Sequence, residues 1–143
     1  MRGGLKTRRW YLQWGRRRLG VGTSRVHIGG EPYLDRFILF LGGPTLRIHR
    51  FWRGDDDRAS HTHPFWFVTL PLSFYIEEVY SHGVPVDVRP VWRLSFRSAT
   101  FEHKVIWLSR LPLWTIVLTG TYSDDWGFYP EPGKYVPNQE YHS

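Results

Sequence analysis

His61 and His63 stand one residue apart in RASHTHPFW (58–66), ahead of a proline and three large aromatics. On an extended chain, side chains two apart project from the same face, so both imidazoles can reach one ion. Neutral imidazole suits iron, nickel, copper or zinc, so the ligand type alone does not choose the metal. Pro64 biases His63 toward an extended backbone and withdraws one ladder donor, as at a strand that enters its sheet at an edge or bend. Phe65, Phe67 and Thr69 share the parity of His63 and would surround the pair with a mostly apolar wall. The other reading of the same residues is a hydrogen-bonded polar pair in a barrel without a metal. A site built on two histidines needs a third ligand. His103 is the candidate, opening the apolar stretch HKVIWL about 40 residues downstream, far enough for a β-chain to return to the same wall. His27, His49, His82 and His142 lack such a setting, although His49 lies in the amphipathic stretch TLRIHRFW.

Other chemistry is narrower. The chain has no cysteine, which excludes disulfides, thiolate ligands and a cysteine nucleophile. Asp55, Asp56 and Asp57 follow Gly54 and read as a solvated turn or as ligands for a hard cation, with Asp57 and Arg58 bracing the loop into the histidine strand.

The elements that must position these residues read as strands. RFILFL (36–41), TLRIHRFW (45–52), HPFWFVTL (63–70), FYIEEVY (74–80), VWRLSF (91–96), HKVIWL (103–108) and LWTIVLTG (113–120) are rich in β-branched and aromatic residues. Turn signals recur between them at the spacing of a sandwich or barrel, and no stretch sustains a helical period. The tail GFYPEPGKYVPNQEYHS, with three prolines, reads as an irregular strap. The expectation is an all-β domain over 26–143, preceded by an arm over 1–25.

That arm is basic. Arg2, Lys6, Arg8, Arg9, Arg16, Arg17, Arg18 and Arg25 meet no acid, so it carries +8 against +6 for the whole chain, which leaves −2 elsewhere. Such a segment reads as a contact for nucleic acid, with Trp10, Tyr11 and Trp14 available for stacking, or as a solubilising tail packed on the domain. With 143 residues, 41% hydrophobic and 17% aromatic, the chain is one folding domain rather than a disordered segment. Its apolar runs fall short of the about 20 residues a spanning helix needs, and no secretory signal opens the chain, so a cytoplasmic location without membrane contact is expected.

HTHPFWFVTLPLSFYIEE followed by FRSATFEHKVIWL resembles the two halves of a cupin metal site, and more closely the small cupin-like proteins encoded by bacteria and their phages. The resemblance extends over roughly residues 45–137, from RFWRGDDDRASHTHPFW to DDWGFYPEPGKYVP. It implies a cupin-type jelly-roll β-barrel with a divalent metal inside it, iron foremost and nickel, zinc or manganese as alternatives. The glutamate expected four or five residues after the second histidine is missing, its positions being held by Phe67 and Val68. What remains is a three-histidine site of His61, His63 and His103, similar to that of the thiol dioxygenases of the superfamily. Tyr75 and Glu77, an aromatic-x-acid pair of that pattern, could orient substrate or move a proton. The plainer alternative is a Tyr on the rim and a Glu facing solvent. Glu77 replaces the missing ligand only if strand pairing turns it inward. The implied activity is an iron-dependent oxygenase acting on a small molecule. The alternatives are a non-catalytic barrel whose basic arm contacts nucleic acid or an assembly such as a virion, and a metal-dependent isomerase or epimerase. A homodimer through an edge strand is expected. The aromatics after the histidines either line a pocket or fill the barrel.

Overall fold

The computed structural model describes residues 7–15, 17–54, 59–123 and 125–141. Asp55, Asp56, Asp57, Arg58 and His142, and Arg2, Lys6 and Arg16 of the arm, lie outside the described residues. The strands are β1 (Arg8–Trp14), β2 (Arg17–Ile28), β3 (Glu31–Leu41), β4 (Thr45–Phe51), β5 (Ser60–His61), β6 (Phe67–Pro71), β7 (Tyr75–Ser81), β8 (Val84–Val91), β9 (Ser95–Arg97), β10 (Glu102–Leu108), β11 (Leu113–Thr119), β12 (Gly127–Glu131) and β13 (Lys134–Pro137), followed by a one-turn helix α1 (Asn138–Tyr141). They form two antiparallel sheets, ordered β1-β2-β3-β4-β11-β6-β9 and β13-β12-β5-β10-β7-β8. The fold is a jelly-roll barrel, as expected. Among the described residues no helix is long and apolar enough to cross a membrane.

The arm is where the structure departs most from the sequence pattern. Residues 8–14 and 17–25 are strand, and β2 runs on in register with β3, Leu19 opposite Leu41 and Arg25 opposite Asp35. The β2–β3 hairpin closes through Gly29 and Gly30, both with positive φ (60° and 81°), the backbone that a two-residue hairpin turn demands. Gly20 has φ 148°, and a Cβ there would lie 2.2 Å from the Trp10 carbonyl oxygen and 2.6 Å from the Tyr11 Cα. Tyr11 uses this space to meet Phe40 edge-on at 5.1 Å. Gly20→Ala is therefore expected to cost about 1–3 kcal/mol through strain and displaced packing, read as a lower urea midpoint at unchanged slope. A midpoint equal to the parent's would show that β1 yields freely.

Three further segments differ from the sequence reading. The histidine strand does not run from 63: residues 62–66 are irregular and β6 begins at Phe67, because Pro64 interrupts the ladder. VWRLSF divides between β8 and β9, which belong to different sheets, so the chain crosses the barrel there. The proline-rich tail is not an irregular strap but the hairpin β12–β13 and α1. Its prolines are tolerated because Pro132 lies in the turn, Pro137 ends the edge strand β13, and Pro130 falls in the register shift of β12 between Phe128 and Glu131.

One end of the interior is packed by Tyr75, Val91, Val105 and Leu113, with Phe51 and Leu108 against them. The rest stays open, as a cavity of about 390 Å³ between the sheets. The outward side of the seven-stranded sheet is apolar: in register across it run Val21, Leu39, Leu46, Leu118, Val68 and Phe96. Their complements on β4 and β11 that face inward include Arg47, His49 and Thr115, so this sheet carries polar groups inside and leucines outside.

Candidate metal centre

Strand pairing assembles the three histidines. His61 on β5 lies opposite His103 on β10. His63, just past the end of β5, is anchored by its backbone N–H, which donates to the Ala99 carbonyl at 3.0 Å. The ring centroids of His61 lie 5.3 Å from those of both His63 and His103, and the latter two lie 4.8 Å apart. One ring nitrogen from each comes within 4.8 Å of the others. Phe67 lies against His63 at 4.7 Å and Phe128 against His61 at 5.6 Å, so apolar rings flank the cluster.

Hydrogen bonds determine which nitrogens are free to ligate. Nδ1 of His63 lies 3.2 Å from the Phe101 carbonyl oxygen, which can only accept, so Nδ1 carries the hydrogen. Nδ1 of His103 donates to Glu77 Oε2 at 2.8 Å. When both rings are neutral, this bonding leaves bare Nε2 lone pairs, and these two Nε2 atoms lie 3.1 Å apart. Facing lone pairs at that distance repel unless a cation lies between them. Two imidazole nitrogens on one ion at about 2.0–2.1 Å are separated by about 2.8–3.4 Å at octahedral to tetrahedral angles. Burial and then the charges of His103 and His61 hold His63 well below the ordinary histidine range, so its Nε2 keeps a lone pair for a proton on His103 or for a metal ion. The donor set fits a divalent metal.

Glu77 comes inward, and the solvent-facing reading is overturned. It is fully buried, and β7 pairs with β10 so that it stands opposite Val105, two residues beyond His103. It touches the far nitrogen of His103 rather than joining the ligand cluster, and so supports a ligand without replacing the missing one. Arg97 donates to Oε1 at 2.7 Å and Arg89 at 3.2 Å. Burial opposes the charge of Glu77, but the bond to His103, the charges of His103 and Arg97 and the bond from Arg89 outweigh it and hold the carboxyl at about 2. A carboxylate behind a ligating imidazole fixes its tautomer and orientation. Tyr75 is not on the rim either; it is buried in the core cluster and lines the inner end of the cavity.

Of the remaining histidines, His49 also faces the cavity, on the wall opposite the cluster, whereas His27 is exposed and His82 sits in the β7–β8 turn with φ 50°. Sequence reasoning missed the cavity wall of Arg36, Arg47, His49 and Thr115. Its signal was present in Thr45, Arg47 and His49 at a period of two, a pattern that ordinarily marks a solvent face.

No known family model matches the chain, and no curated protein matches it. Solved structures do. A cupin-2 domain protein from Rhodospirillum rubrum superposes with a TM-score of 0.57 at 16% identity, over 88% of this chain and 84% of that one. The chain has the cupin fold. HppE in its iron(II) form superposes with a TM-score of 0.55 at 10% identity, over 69% of this chain and 56% of HppE, and a complex of that iron(II) protein with the alternative substrate (S)-1-HPP gives 0.54 at 8% identity, over 70% and 55%. The chain therefore spans little more than half of HppE. At these identities the likeness concerns the fold, and this chain's own three histidines carry the case for a metal-binding cupin.

Proposed function

We propose that the protein is an iron-dependent oxygenase that acts on a small molecule held in its barrel. The observation that carries this reading is the pair of Nε2 atoms 3.1 Å apart, their Nδ1 atoms already committed to Phe101 and Glu77. His61, His63 and His103 would hold the ion, and with no carboxylate in the set among the described residues they would leave positions open beside the cavity. Iron there would supply the redox chemistry of oxygenation, which protein side chains lack.

The chain's own residues do the rest. Glu77 and the Phe101 carbonyl orient two imidazoles, and Arg97 and Arg89 keep Glu77 ionised. Phe67, Val105 and Val117 line the cavity and keep its wall dry. The aromatics after the histidines do not fill the barrel: Trp66 turns away to stack on Phe96, and Phe65 covers Arg47. The presence of HppE with iron(II) among the structural neighbours supports iron as the first metal to try. The nucleic-acid reading of the arm draws less support, because Arg9 and Arg18 line the cavity and Arg25 is bound to Asp35.

The test is anaerobic loading of the purified full chain with ferrous iron, followed by elemental analysis and by nitric oxide as a spectroscopic probe of open positions. One iron per chain and a ferrous nitrosyl signal are expected, both lost in His61→Ala and His103→Ala. A chain that takes up no iron sinks the metal site. Iron that binds without a nitrosyl signal retains the site but refutes the oxygenase.

A further inference from the structure

The wall opposite the histidines is cationic. Arg47 and His49 project from β4 into the cavity and Arg36 from β3, with Arg36 opposite His49 and Arg47 opposite Ile38 in the strand register. Arg9 and Arg18 line it as well. Among the described residues, no aspartate or glutamate lines this cavity. Arg47 donates through Nε to Thr45 at 2.9 Å, lies over the Phe65 ring at 4.9 Å and bonds no carboxylate among the described residues. The next strand places Thr115 opposite His49, and the Thr115 hydroxyl and His49 Nε2 are both shielded from solvent without a hydrogen-bond partner among the described residues. Burial, then the charge of Arg36, pulls Arg47 down to about 10. Burial and the charges of Arg36 and Arg47 hold His49 neutral, well below its ordinary range.

Clustered guanidiniums, orphaned polar atoms and space beside them call for one kind of occupant. We infer that the cavity binds an organic oxyanion, a carboxylate or a phosphonate or phosphate, through Arg36 and Arg47 with Thr115 and His49 completing its hydrogen bonds. The fork of a guanidinium matches paired oxyanion oxygens, and an anion entering here relieves the repulsion between two half-buried cations. The anionic head then rests on the seven-stranded sheet, and the remainder of the molecule extends toward His61, His63 and His103 on the other sheet. This names the substrate class of the proposed oxygenase and rests on that reading for its chemistry, but the anion site itself is independent of metal.

The experiment uses the full chain stripped of metal with a chelator, titrated calorimetrically with acetate, methylphosphonate and inorganic phosphate, with acetamide as the uncharged control. At least one anion is expected to saturate at one site, while acetamide does not bind. Arg47→Met should weaken that anion at least tenfold and Arg47→Lys less, whereas Arg110→Ala, at an exposed loop arginine, leaves it unchanged. Far-ultraviolet dichroism confirms that each variant is folded, and Arg36→Gln tests the site a second time should Arg47→Met not fold. The anion that binds best identifies the head group. Equal binding of anions and acetamide, or anion binding that survives in the folded Arg47 or Arg36 variant, overturns the inference. His61→Ala separates the two proposals: it should abolish iron uptake and leave anion binding intact, and the Arg47 variants should do the reverse.

Discussion

Glu77→Ala is expected to lose about 3–5 kcal/mol of stability, the usual consequence of removing one partner from a buried ionic cluster. The carboxylate is fully buried, and its loss would strand Arg97, only 13% exposed, and leave Nδ1 of His103 without an acceptor. Arg89, at 42% exposed, can turn to water and adds little. For a chain of this size the change corresponds to a melting point lower by roughly 10–20 °C. Glu77→Gln separates stability from metal binding. It keeps an oxygen for the imidazole and most of the shape, so the fold should survive with a loss of about 1–3 kcal/mol. Metal affinity should still fall by about 10–100-fold, because the charge behind the ligand is gone. Competition with a chelator of known affinity measures this. An unchanged metal affinity in Glu77→Gln would reduce Glu77 to a structural ion-pair partner.

Asp35→Ala should destabilise the fold by a similar amount, about 3–5 kcal/mol, with no direct effect on the metal site. Asp35 is fully buried between Arg25 and Arg50 across three neighbouring strands, accepting from Arg25 at 2.6 and 2.9 Å, from Arg50 Nε at 2.8 Å and from the Trp52 indole at 2.9 Å. Without it the two guanidiniums, 10% and 24% exposed, face each other. The same carboxylate makes stability depend on pH. Burial alone would raise its pKa, but the bonds from Arg25, Trp52 and Arg50 outweigh burial and lower it from 3.8 to about 2. A pKa depressed on folding stabilises the folded chain above the unfolded value, and that contribution is lost as pH falls through the folded one. About 2 kcal/mol should therefore disappear between pH 4 and pH 2. Urea unfolding at pH 7, 4 and 2 should show the parent losing more than Asp35→Asn over that range; parallel losses would contradict the assignment.

Several strands were legible from composition alone. TLRIHRFW, HKVIWL and LWTIVLTG became β4, β10 and β11 almost residue for residue, because β-branched and aromatic runs bounded by turn residues have few other stable forms. The hairpin β2–β3 was obscured by charge: an acid-free stretch looks like a tail until Asp35, ten residues beyond Arg25 and opposite it in the ladder, supplies a counter-ion. The tail was misread because its prolines look like breakers, whereas here they fall at a turn, on an edge strand and at a register shift, where no ladder donor is needed.

From local pattern and spacing, the sequence by itself determined an all-β chain and the His61–His63 pair, with His103 as a candidate third ligand, since residue types at a period of two settle what a strand displays together. Only the tertiary structure decided which side of each strand faces inward. Thr45, Arg47 and His49 alternate with Leu46 and Ile48, and the alternation is the same whether the polar row meets water or a cavity. Closing the barrel turned the polar row of β4 toward the histidines and the leucines outward. It also brought Glu77 behind His103 from a strand 26 residues away. Periodicity is a local property of one strand, whereas inside and outside exist only once two sheets have packed.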